Sequence, residues 1–107
     1  MDLRVDGDRD GVPAGVDLAA YRIVQEALTN VLKHASASHA AVRVGYRPDV
    51  IELEILDDGR GSPANGTGHG LIGMRERASL YGGVVEAKPR PEGGFAVRAR
   101  LPVKSAG

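Results

Sequence analysis

Residues 41–46 and 50–56 are runs of alternating or β-branched residues held three apart by Arg47-Pro48-Asp49, and no other feature constrains the fold as much. Branched side chains fit a pleated surface, and a proline among polar residues fixes φ for a turn. The two runs are therefore predicted to be adjacent antiparallel strands. A second pair, residues 84–87 and 95–101, is joined across Pro89 to Gly94. Each pair follows a segment of different period. From about Val16 to Ala35, the residues Tyr21, Val24, Leu28, Val31 and Leu32 recur at helical spacing, which describes an amphipathic helix, and Asp17 is placed to cap it. Leu71, Met74, Ala78 and Tyr81 repeat that spacing up to Gly82-Gly83, where the helix should stop. Leu3 and Val5 read as a short edge strand before an acidic turn from Asp6 to Gly11, and residues 58–69, rich in Gly, Ser, Pro and Asn, read as a loop.

The order strand, helix, two strands, loop, helix, two strands predicts an α+β fold. It should be a two-layer α/β sandwich, with a mixed, mostly antiparallel sheet and the helices on one face. A chain of 107 residues with 42% hydrophobic content supports one domain, here residues 1–107, burying roughly two-thirds of its unfolded surface. The 14 basic and 14 acidic residues cancel, so no overall charge recruits nucleic acid or an anionic membrane. Any anion must be caught locally. With no cysteine, thiol catalysis and thiolate metal sites are excluded. No apolar run approaches the ~20 residues that span a bilayer.

Three stretches carry chemistry. In Glu26-x-x-x-Asn30-x-x-Lys33-His34-Ala35, Asn30 falls ~40° to one side of Glu26 and Lys33 ~20° to the other, so all three share a narrow helix stripe. A solvated Glu–Lys face would have the same pattern. Asp57-x-Gly59-x-Gly61 places a carboxylate at a strand end beside glycines that let another molecule approach, although a plain Asp-Gly turn reads alike. Gly66, Gly68, Gly70 and Gly73 lead into the second helix. Each interior glycine costs ~1 kcal/mol against alanine, yet the run exposes amides at a positive helix terminus, where phosphate binds.

Two rival patterns fail on context. Gly68-His69-Gly70-Leu71-Ile72-Gly73 fits the dinucleotide fingerprint, but a polar loop precedes it instead of a strand. Asp6-x-Asp8-x-Asp10-Gly11 with Asp17 mimics a calcium loop, but too few residues precede it for an entering helix. No Walker A sequence is present.

Taken in order, Glu-x-x-x-Asn-x-x-Lys-His-Ala, Asp-x-Gly-x-Gly and Gly-His-Gly-Leu-Ile-Gly-Met-Arg-Glu-Arg resemble the asparagine box and the two glycine boxes of sensor histidine kinases. More narrowly, they resemble the subgroup that pairs with response regulators carrying a helix-turn-helix output domain. The resemblance runs from about Ala19 to Pro102. It implies the GHKL, or Bergerat, ATP-binding fold, with ATP and Mg2+ as cofactors. Asn30 is then expected to bind Mg2+ through its amide oxygen, Lys33 to meet the phosphates as a point charge, and His34 to pack near the phosphates or sugar. Asp57 would accept the adenine amino group, and Gly59 and Gly61 would leave room for the ring. Gly68, Gly70 and the amide of Leu71 would line the triphosphate, with His69 touching it from a short lid over residues 62–69 that is expected to be mobile without nucleotide. Glu26 is the expected catalytic base. His39 is expected to be inert.

By the same resemblance the chain should be one domain of a longer sensor kinase. Its partners would be an upstream dimerisation domain carrying the phosphoacceptor histidine and a cognate response regulator. Neither nucleic acid nor direct membrane contact is expected, and the location would be cytoplasmic even where the parent is anchored in the inner membrane. An anti-sigma-factor-like serine kinase and a regulatory nucleotide-binding module without transfer activity are the alternatives. Lys33-His34-Ala35 and Met74-Arg75-Glu76-Arg77 favour the sensor group.

Overall fold

The computed structural model describes residues 2–8, 10–34, 39–59, 72–91 and 93–103, with residues 32–34 described in the backbone alone. Five strands form one sheet: β1 (Asp2–Gly7), β2 (Ala40–Tyr46), β3 (Val50–Asp57), β4 (Val84–Pro89) and β5 (Phe95–Pro102), in the order β1-β2-β3-β5-β4. The pairing of β1 with β2 is parallel and every other pairing is antiparallel. Both predicted hairpins form. The sheet is mixed because α1 (Ala14–His34) connects β1 to β2 as a crossover, and a parallel neighbour needs one. A second helix, α2, occupies residues 72–79.

Register decides which face is buried. The row Leu3, Val42, Ile55, Val97, Ala87 and the row Val5, Val44, Leu53, Ala99, Val85 cross all five strands on one face. Against that face pack Val16, Ala19, Ala20, Ile23 and Ala27 of α1, with Met74 and Ala78 of α2. Side chains alternate along a strand, so the opposite face carries Arg43, Glu54, Arg98 and Glu86 in one row. Arg98 Nε lies 2.8 Å from Glu54 Oε2, and Arg43 Nη1 lies 3.7 Å from Glu54 Oε1. Charge pairing finishes the side that no helix covers.

Two features of the helices differ from the sequence reading. The buried stripe of α1 is the alanine-rich one, whereas Tyr21 is 63% exposed and Val24 and Leu28 lie only at the margin of the core. Alanines let the helix axis approach the sheet, and the bulkier residues fall to its flank. Nor does Asp17 cap α1. Its amide is already inside the helix, donating to the Pro13 carbonyl at 3.0 Å, and its carboxylate accepts the Tyr46 hydroxyl at 3.3 Å. The end of α2 is as expected. Gly82 takes φ 75°, its N–H donates to Ser79 O at 3.1 Å, and the Gly83 N–H donates to Ala78 O at 2.8 Å. This is a Schellman ending, which requires the left-handed region that glycine enters at little cost.

Candidate functional site

Connectivity brings the described parts of the three sequence stretches near one another. α1 finishes at His34, β2 starts at Ala40, and Ala40 pairs with Asp57, the last residue of β3. The C-terminal end of α1 and the C-terminal end of β3 therefore share an edge. α2 starts there too, because a methyl group placed on Gly73 would lie 3.5 Å from Glu26 Oε1.

Asp57 is 6% exposed and is the buried charged side chain among the described residues. Its Oδ1 accepts the Gly59 N–H at 2.8 Å, a turn in which the side chain replaces a backbone acceptor. Gly59 is itself buried. A carboxylate this dry needs hydrogen-bond donors. The peptide that follows is held from two sides. Arg90 Nη1 donates to the Asp57 carbonyl at 2.8 Å, and the Asp58 N–H donates to the His39 carbonyl at 3.3 Å. Asp58 also returns its side chain to His39, accepting the backbone N–H at 2.8 Å, with Oδ2 at 3.2 Å from Nδ1. His39 is thus part of the wall behind Asp57.

On α1, Glu26 and Asn30 are half-buried and one turn apart, and Glu26 faces α2. Glu26 opens into a cleft of about 200 Å³ lined also by Arg22, Gln25, Thr29 and Arg77. The two arginines on α2 behave differently. Arg75 Nε donates to the Val85 carbonyl at 3.4 Å, while Arg77 Nε is buried with no hydrogen-bond partner among the described residues. A broader concavity of about 560 Å³ lies across the sheet, on the ion-paired face, and holds none of the predicted site residues. Arg43, Arg47, Glu52, Glu54, Arg98 and Arg100 of its lining pair with one another.

Of the remaining expectations, the side chains of Lys33 and His34, and Gly61, Gly68, His69, Gly70, Leu71 and the lid, lie outside the described residues. Among the described residues no group of three His, Cys, Asp or Glu side chains could cage a metal ion. Asn30 offers one amide oxygen. That donor set fits Mg2+, which prefers oxygen and commonly takes most of its ligands from phosphates and water.

The contacts of Arg90 and His39 and the place of Arg22 in the cleft were not read from the sequence. The Arg90 contact spans 33 residues of chain and the His39 contact spans 19, so neither leaves a local spacing. Arg22 precedes Glu26 by one helical turn, and that spacing alone could have drawn it in.

Residues 15–105 match the family described as histidine kinase-, DNA gyrase B- and HSP90-like ATPases. The sensor histidine kinase LnrJ of Bacillus subtilis strain 168 is 36% identical over 100 residues, covering 94% of this chain and 25% of that protein. LiaS, a sensor histidine kinase of the same strain, is 33% identical over 106 residues, covering 96% of this chain and 29% of its own length. The chain thus spans between a quarter and a third of these relatives. Among solved structures, the ATP binding domain of PrrB from Mycobacterium tuberculosis superposes with a TM-score of 0.66 at 28% identity, covering 98% of this chain and 82% of that one. The histidine kinase domain of a blue-light activated histidine kinase from Erythrobacter litoralis superposes at 0.69 with 24% identity, covering 95% of this chain and 54% of that one, a likeness of fold.

Proposed function

The chain belongs to the family of histidine kinase-, DNA gyrase B- and HSP90-like ATPases, and from that premise we propose that it binds Mg-ATP and donates the γ-phosphate to a histidine on a separate dimerisation domain. A response regulator then receives the group. The observation that carries this reading is the buried Asp57 at the end of β3, sharing one edge of the fold with the Glu26–Asn30 flank of α1. One end supplies a desolvated acceptor for a base, and the other supplies a carboxylate and an amide oxygen where a triphosphate would run.

In this scheme Asp57 accepts the adenine amino group, and Gly59 keeps the approach open. Asn30 holds Mg2+, whose charge when bound offsets that of the phosphates. Lys33 and the glycine run from Gly68 to Gly70, with Leu71, Gly61, His34 and His69, complete the nucleotide contacts. Glu26 orients the incoming imidazole and takes the proton from one ring nitrogen as the other, unprotonated nitrogen bonds to phosphorus and the β,γ-bridging oxygen leaves with ADP. Such transfer depends mainly on positioning and charge stabilisation.

The test is to mix the chain with labelled Mg-ATP and a purified dimerisation domain from its parent protein. Acid-labile phosphate on that domain is expected, and none on this chain alone. Nucleotide binding with no transfer in the mixture would instead favour the regulatory module.

A further inference from the structure

The β4–β5 turn touches the site through Gly94 and Arg90. Between Pro89 and Phe95 the chain reverses tightly, with the Arg90 N–H donating to Gly94 O at 2.9 Å and the Gly93 N–H donating to Arg90 O at 3.0 Å. The fold brings this turn down onto the end of β3, where Asp57 stands opposite Phe95. Gly94 lies so close to the Asp57–Asp58 peptide that a Cβ there would fall on the Asp57 carbonyl. Into the same place the turn delivers Arg90, whose Nη1 donates to that carbonyl at 2.8 Å.

The contact has leverage because of what the peptide controls. Its carbonyl is held by Arg90 and its N–H by the His39 carbonyl, so the plane between Asp57 and Asp58 has little freedom to rotate. That plane sets where the Gly59 N–H points. The Gly59 N–H in turn occupies Oδ1 of Asp57 at 2.8 Å, which fixes the carboxylate about its own side-chain torsion and aims its remaining acceptor capacity. A bond from a charged donor is stronger than a neutral one, and at a half-buried position it competes with little water.

From this chain of contacts we infer that Arg90 is a positioning residue for the Asp57 carboxylate, setting base selectivity from a distance without touching the nucleotide. The inference rests on the proposed reading of Asp57 as the acceptor for an adenine amino group. Guanine carries an oxygen at the corresponding place and cannot donate to a carboxylate there. Arg90 should therefore affect ATP and spare GTP.

The experiment is titration of the chain with Mg-ATP and with Mg-GTP, for the wild type, Arg90→Ala and Arg90→Lys. Arg90→Ala should lower ATP affinity by about tenfold, the worth of one charge-assisted hydrogen bond, with GTP affinity changed less than about twofold. Arg90→Lys, which still donates to a carbonyl, should keep ATP affinity within about threefold of wild type. Equal losses for both nucleotides, or no loss for either, would overturn the inference while leaving the proposed function standing. A wild type that binds both nucleotides alike, or neither, removes the reading of Asp57 and this inference with it. If Arg90→Ala does not fold, Arg90→Gln replaces it, with the same ATP-only loss required.

Discussion

Glu26 and Arg77 line one cleft with opposite charges, and their replacements should be read by different measurements. Glu26→Gln keeps shape and hydrogen-bonding capacity but removes the proton acceptor, so phosphate transfer to the dimerisation domain should slow by about 10²–10⁴-fold while Mg-ATP affinity stays nearly unchanged. Labelled transfer and equilibrium titration separate the two, and equal losses in both would refute the base assignment. At Arg77 the issue is stability, since its buried Nε has no acceptor among the described residues. An unsatisfied buried donor costs about 1–3 kcal/mol, and methionine covers the same apolar stem, so Arg77→Met should raise the urea unfolding free energy by about 1 kcal/mol. A fall of that size would instead mean that the guanidinium has an acceptor in solution. Asp57 was legible in the sequence because a strand run ends on it beside glycines. Arg90 was not, because a guanidinium reaching a carbonyl 33 residues away leaves no periodicity.

Among the elements, the hairpins were the most legible and α1 was the least. Pro48 at the turn between β2 and β3 fixes the pairing locally, so every register partner from Ala40↔Asp57 to Tyr46↔Ile51 follows from a few residues. The helix was recognised by its period, but the phase of its buried stripe was misjudged. Large residues drew the stripe toward Tyr21 and Leu28, whereas close packing against the sheet selects the small ones at Ala19, Ala20 and Ala27. Sequence periodicity cannot tell a bulky flank from a buried face when both are apolar. Urea unfolding should expose the difference. Ile23, fully buried, should cost about 2–4 kcal/mol on replacement by alanine. Tyr21→Ala should stay within about 0.5 kcal/mol, as an exposed position would. Comparable losses at the two positions would put Tyr21 back in the core.

At the scale of the whole molecule, the sheet is finished differently on its two sides, by helices on one and by ion pairs on the other. Glu54 serves two arginines, yet Arg43 and Arg98 are 63% and 62% exposed. Exposed pairs contribute about 0–1 kcal/mol, so Glu54→Ala should change unfolding free energy by less than about 1 kcal/mol, with the difference shrinking in high salt. A larger or salt-independent loss would show that the row is part of the structural core. Along the row of Arg4, Arg43, Glu54, Arg98 and Glu86 the sign of charge reverses at each step beyond the first pair. Strands are about 5 Å apart, less than the ~8 Å over which physiological salt screens a charge. At a distance the fields of these alternating charges largely cancel, so the row has local texture and only a weak net sign. A charged neighbour would be only weakly drawn to it or turned away.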